Sequence, residues 1–314
     1  MAAVTAALVK ELREMTGAGM MDCKKALTAT DGDMDKAVDF LREKGLAGAQ
    51  KKAGRIAAEG IVDTMVSEDG KSAVIVEVNA ETDFVAKNEK FRNYVAEVAK
   101  QALTTTAADM DAFFAEPWAG DPALTVKEEL SSMISVIGEN MNIRRFQQMK
   151  EDNGVIVSYI HAGGKIGVLV DVETNVVNDA VKEMAKNVAM QVAALKPLYT
   201  NSKEVSADYI AREKEILLAQ IMNDPKEASK PEKVILGMIQ GRINKELKDI
   251  CLLDQIYVKA EDGKQSVKAY IDSVAKAQGA KINVKKFIRF ETGEGLEKKN
   301  ENFAEEVAAQ MANK

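Results

Sequence analysis

The chain has 314 residues, 46% of them hydrophobic and 29% charged, with a formal net charge of -6. That length exceeds one compact core and that composition is ordinary for a soluble protein, so two or three domains are expected. The acidic balance argues against general nucleic-acid binding, and no apolar run approaches the ~20 residues of a membrane span.

Residues 4 to 44 read as three short helices. Thr5 can cap the first, whose Leu8, Leu12 and Met15 share a face before Gly17 stops it. Met20 opens the second, MMDCKKAL; Asp33 can cap the third, with Met34, Ala37, Val38 and Leu41 on one side. Met20 and Met21 are consecutive and cannot both face inward on so small a module. One of them is expected to be exposed as an adaptable contact. The stretch GLAGAQKKAGRIAAEG then leads away as a helical linker, and its Lys51, Lys52 and Arg55 read as a solvated face.

An internal repeat follows. GIVDTMVSEDGKSAVIVEV from Gly60 aligns without a gap to GVIVSYIHAGGKIGVLVDV from Gly154; each reads as strand, Gly-containing turn, strand. Asn153-Gly154 reads as another tight turn, between a strand around Ile143 to Phe146 and the strand from Val155. The helices after the two hairpins align at a shorter offset, pairing Val98 with Val188 and Gln101 with Gln191. The first copy therefore carries about four extra residues at its strand-to-helix corner, within or beside TDFVAKN.

Beyond Pro197, EVSADYIAREKEILLAQIM and PEKVILGMIQGRINKELKDI read as a helical hairpin inserted into the second repeat. Strand-like QIYVK and KINVKKFIRFE flank a helix around Val267 to Ala277, and FAEEVAAQMANK reads as a terminal helix.

The chemistry is sparse. Cys23 and Cys251 are too few and too far apart for a disulfide framework, which points to a reducing compartment. The N-terminus carries acids in a helical pattern and no apolar signal core follows, so the chain reads as cytosolic. His161 is the single histidine. A nucleophile–histidine arrangement would have to be built on it, and zinc sites usually need several His or Cys ligands. HAGGKIG lacks the Lys-Ser or Lys-Thr of a phosphate loop and runs into a strand instead of a helix. No metal site, cofactor or catalytic residue is expected. Phe84 is the exception to this blandness. It reads either as a core residue that starts the following helix or, beside Asp83, a poor neighbour for burial, at the lengthened corner, as a ring suited to insertion into another protein.

The motifs LVKELREMTGAGMMDCKKAL, ETDFVAKNEKF, IGENMNIRR, HAGGKIGVLV and FIRFETGEG, in this order over nearly the whole chain, resemble the bacterial elongation factor Ts family. The resemblance implies an α+β fold. Its parts are a ubiquitin-associated-like helical module with linker (1–55), a core N-subdomain (56–152), a core C-subdomain (153–200 and 250–290), an inserted helical hairpin (201–249) and a C-terminal module (291–314). It implies guanine-nucleotide exchange on elongation factor Tu, GDP-bound or nucleotide-free, without bond chemistry. Thr82, Asp83, Phe84 and Val85 match the family motif. Asp83 and Phe84 would enter the partner beside its magnesium and phosphates. Leu12, Met20 and Met21 would meet a helix of the partner's nucleotide-binding domain, and Ile137, Gly138 and His161 match further contacts. Homodimerisation through the hairpin is a further expectation; no nucleic acid or membrane is. The segment QIYVKAED departs from the family pattern, which leaves a contact at Val258 in doubt. Rival readings are a ubiquitin-like binding adaptor, an enzyme using His161 and a self-associating scaffold.

Overall fold

The computed structural model describes residues 4–297. Three helices come first: α1 (Ala6–Thr16), α2 (Met20–Ala29) and α3 (Met34–Lys52). Then follow β1 (Glu59–Val66), β2 (Ser72–Ala80), α4 (Asp83–Lys87), α5 (Glu89–Thr104), α6 (Met110–Ala115), β3 (Pro117–Trp118), β4 (Asp121–Thr125), α7 (Val126–Ile137) and β5 (Met141–Lys150). The remainder comprises β6 (Gly154–His161), β7 (Ile166–Thr174), α8 (Asp179–Leu195), α9 (Ala207–Asn223), α10 (Pro225–Ala228), α11 (Glu232–Ile250), α12 (Val267–Gln278) and β8 (Ile282–Glu291). The architecture is α+β. The terminal helix expected from FAEEVAAQMANK lies outside the described residues. Among those residues no helix is long and apolar enough to cross a membrane.

Local sequence explains the first three helices. Thr5 and Asp33 accept from the amides of Leu8 and Lys36, and Gly17 at φ 66° ends α1. Leu12, Cys23, Ala26, Leu27 and Ala37 form their small core. The linker is part of α3, which runs unbroken to Lys52 and lies along α7, with Gly45 against Ser131 and Ser135.

Strands β1, β2 and β5 make one antiparallel sheet, and β6, β7 and β8 make another. Gly60 opposes Asn79 in the first, and Gly154 opposes Glu173 in the second; bulges fall after Glu77 and after Asp171. Alternation along the central strands sorts the core. Val74, Val76 and Val78 face α5, while Val168, Val170 and Val172 face α8. Ala73, Ile75, Ile156, Leu169 and Ile288 meet between the sheets. The layers thus run α5, sheet, sheet, α8. Their middle strands are buried on both faces, which is why they read as near-continuous Val and Ile.

Two expectations differ. Asn153-Gly154 does not close a hairpin, because β5 is paired to β2 and β6 to β7. The turn passes between sheets, held by Lys71 Nζ donating to the carbonyls of Asp152 (3.0 Å) and Gly154 (2.6 Å). Nor is QIYVK a strand. It makes one isolated bridge, Ile256 to Ser266, and Gln191 on α8 satisfies its backbone in place of a ladder.

Candidate functional site

The strand-to-helix corner spans residues 81–88 in the first half but only 175–178 in the second, and α4 occupies the difference. Thr82 caps α4, its hydroxyl accepting from the Val85 amide. Val85 and Ala86 are buried in the core under α5, which leaves Phe84, one position earlier, pointing away from it. Phe84 is 80% exposed. Asp83 beside it accepts a 2.6 Å bond from Lys87 Nζ, and that bond holds its carboxyl below the usual range. The Lys87 ammonium stands 6.0 Å from the centre of the Phe84 ring. The corner therefore offers an aromatic ring and a charged carboxylate side by side, with Val85 as the anchor beneath.

The corner is braced from two directions. The Thr82 hydroxyl and amide donate to the two carboxylate oxygens of Glu139 at 2.7 and 3.0 Å. In return the Asn140 amide donates to Glu81 Oε1 at 2.5 Å, and Asn140 Nδ2 donates to the Arg55 carbonyl at 2.8 Å. From the other side, Arg92 donates to the carbonyls of Ala86 (3.2 Å) and Gly163 (3.1 Å).

These bonds gather most of the residues singled out from the sequence. Glu139 follows half-buried Ile137 and exposed Gly138. Gly138 ends α7 at φ 89°, a conformation glycine adopts freely, with open space where a Cβ would stand. The Arg92 bond ties in the turn that follows His161. His161 is exposed, its Nδ1 3.0 Å from the Tyr159 hydroxyl. Gly17, at the turn between α1 and α2, packs against Val136 of α7, so the helical module meets the end of α7 that carries Ile137 and Gly138.

On that module Met20 is 53% and Met21 62% exposed, so both face solvent and not one alone. The inward stripe of α2 begins only at Cys23 and continues with Ala26 and Leu27. Leu12 is wholly buried. In this structure it lies in the core with Cys23, Ala26 and Leu27 of α2 and offers no surface of its own.

Glu139, Asn140 and Arg92 were not singled out from sequence, and Arg55 was read only as part of a solvated face. Their bonds join positions up to 85 residues apart, and no local pattern announces such pairs. Among the described residues no three acids, histidines or cysteines converge as a metal site would require. HAGG is a tight turn, its Gly164 amide donating to the His161 carbonyl.

The family model for elongation factor Ts matches residues 81–294, which contain the corner, the Glu139 loop and the turn after His161. The chain belongs to the elongation factor Ts family. It is 52% identical to the elongation factor Ts of Clostridium novyi, covering 99% of this chain and all of that one. It is 53% identical to that of Clostridium botulinum strain Eklund 17B (98% and 99% covered). With that of Clostridioides difficile it shares 51% (99% and 100% covered). Full-length similarity of this kind assigns the chain to elongation factors of protein biosynthesis.

Proposed function

We propose that this chain is a guanine-nucleotide exchange factor for elongation factor Tu, with Phe84 as the wedge. The observation that carries the reading is an 80% exposed aromatic ring on a one-turn helix whose next two residues are buried. A ring left in water by a braced corner is available to a partner's core. Thr82 and Val85 hold the wedge, Asp83 and Phe84 enter, and Ile137, Gly138 and His161 flank it. Met20 and Met21 of module 1–55 grip the partner, with Leu12 in that module's core.

An exchange factor makes no bond. It binds the nucleotide-free partner more tightly than the loaded one, and the coupling is reciprocal. Magnesium in the partner requires near-octahedral geometry, so shifting the elements around it weakens its hold on GDP. Burying one Phe ring yields roughly 1.5–3 kcal/mol, one to two decades of that coupling. The other contacts supply the remainder. The hairpin exposes Leu218, Met222, Val234 and Leu236, which supports self-association as a second, separate contact.

The test is dissociation of labelled GDP from elongation factor Tu. The intact chain accelerates it; Phe84→Ala slows that acceleration about tenfold or more while the thermal midpoint stays put. Equal release with the variant ends the wedge reading.

A further inference from the structure

We propose that Glu139 is a positioning residue, whose carboxylate fixes the direction in which the corner presents Phe84. The proposal rests on the wedge reading above, and its test separates the two.

Helix α4 has five residues, too few to hold itself. Its far end is fixed by the burial of Val85 and Ala86 and by the Arg92 bond to the Ala86 carbonyl. At its near end the side-chain clamp is Glu139, accepting from both the hydroxyl and the amide of Thr82. Such charge-assisted, two-point contacts fix orientation as well as position. Rotation of α4 by a few tens of degrees would swing the ring off its line.

The second half of the molecule provides an internal control. There the Lys281 amide donates to Asn175 Oδ1 at 2.8 Å, the counterpart of Asn140 donating to Glu81. That bond closes the corner in both halves. The place of Glu139, however, is taken by Ala280, and the place of Thr82 by Val176. The fold closes this corner without a carboxylate. Glu139 and its bonds to Thr82 accompany α4 and the exposed ring, the additions that distinguish one half from the other.

The experiment compares Glu139→Ala, Glu139→Gln, Phe84→Ala and the double variant Glu139→Ala/Phe84→Ala, all as full chains. It measures labelled-GDP release from elongation factor Tu against exchange-factor concentration, with amide hydrogen exchange of the free proteins. Glu139→Ala is expected to lower the maximal release rate about tenfold, the worth of one charge-assisted bond, with the half-saturating concentration little changed. Glu139→Gln keeps one acceptor and recovers part of the loss. Because Glu139 acts through Phe84, adding Glu139→Ala to Phe84→Ala costs nothing further. Amides 82 to 86 exchange faster in Glu139→Ala while the strands do not. Losses that multiply in the double variant overturn the proposal, as does unchanged exchange at those amides. Should Phe84→Ala prove as fast as the parent, the wedge reading falls, and the amides alone decide whether Glu139 positions the corner.

Discussion

Gln101 and Gln191 do the same task at equivalent places. Gln101 Nε2 donates to the Pro117 carbonyl (3.0 Å) and its Oε1 accepts from the Ala119 amide (2.9 Å). Gln191 reads Ile256 and Val258 in the same way at 3.0 and 2.8 Å. Each side chain pairs with the backbone of the segment beside it, as a neighbouring strand would, and the bonds are partly shielded from water. Gln191→Ala is therefore expected to cost about 1–3 kcal/mol, the range for leaving such groups unpaired. Chemical denaturation measures it, and a surface control such as Lys186→Ala should cost little. The Gln101–Gln191 pairing is plain in the sequence, but its purpose is not, because the backbone it serves is 16 or more residues away. The methionines show the same limit. Spacing indicates that α2 has an inward face but not where that face begins, and Cys23 sets it.

At the scale of elements more was legible than the two hairpins alone. Thr125-Val126-Lys127 caps and opens α7, and Ser266-Val267-Lys268 caps and opens α12. Gly138 and Gly279 end these helices in the left-handed region, and Asn-Ile-Arg-Arg-Phe from Asn142 returns as Asn-Val-Lys-Lys-Phe from Asn283. The repeat thus extends through helix and third strand. It hides because α9 to α11 interrupt the second copy. That interruption has its own core of Ile221, Ile235, Ile239 and Ile243, and its base is closed by Tyr199, whose amide donates to the Ile250 carbonyl and whose carbonyl accepts from the Leu252 amide. Replacing residues 207–248 with a short glycine–serine link is expected to leave the two sheets folded, with a thermal midpoint within a few degrees of the parent. Loss of cooperative unfolding would show the hairpin to be part of the core. The strand-like reading of QIYVK failed for a related reason. Its composition suits a ladder, but among the described residues no strand pairs with it beyond the single Ile256–Ser266 bridge, and whether a neighbour exists is a property of the whole fold.

Over the whole molecule, the equivalent positions after which both central strands bulge carry buried acids with opposite fates. Glu77 accepts from Arg144 (3.0 Å), Arg145 (2.6 Å), Asn79 (3.1 Å) and the amide of Gly293 (2.8 Å). Gly293, at φ 71°, lies so close to Ala58 that a Cβ would stand 2.1 Å from its carbonyl oxygen. This cluster fastens the end of β8 onto the first half. Its counterpart, Asp171, has both carboxylate oxygens buried with no donor turned toward them. The counterparts of the two arginines are Lys285 and Lys286, and Lys285 goes instead to Glu151 at 2.9 Å. Glu151 lies in the link between the halves, within hydrogen-bonding reach of Asp171. Two acids, Asp171 and Glu151, share one bound cation where the first half sets two arginines on a single acid.

A pH dependence follows from that arrangement. Burial, then Glu151 beside it, pushes Asp171 well up, against the weaker pull of Lys285 and Lys286. Burial would raise Glu151 as well, but its bonds to Asp171, Lys285 and the Asn153 amide outweigh it and bring Glu151 down. Near pH 5 the pair therefore holds one proton, on Asp171, which donates to the Glu151 carboxylate. The unfolded chain ionises Asp171 near the ordinary value of 3.8, so above that pH, until the raised folded-state value is passed, the folded state binds the extra proton. Stability consequently falls as pH rises through this window and levels off above it, when Asp171 is charged and faces another carboxylate. Asp171→Asn keeps a neutral donor at every pH. Relative to the parent it should be close to neutral near pH 5 and stabilising by roughly 1–3 kcal/mol at pH 8, the cost of a buried group left unpartnered. Denaturant unfolding of both proteins across pH 5 to 8 isolates this pair, because every other titrating group is common to the two chains. Parallel stability curves would mean that Asp171 is already ionised at pH 5 and that the two carboxylates share no proton.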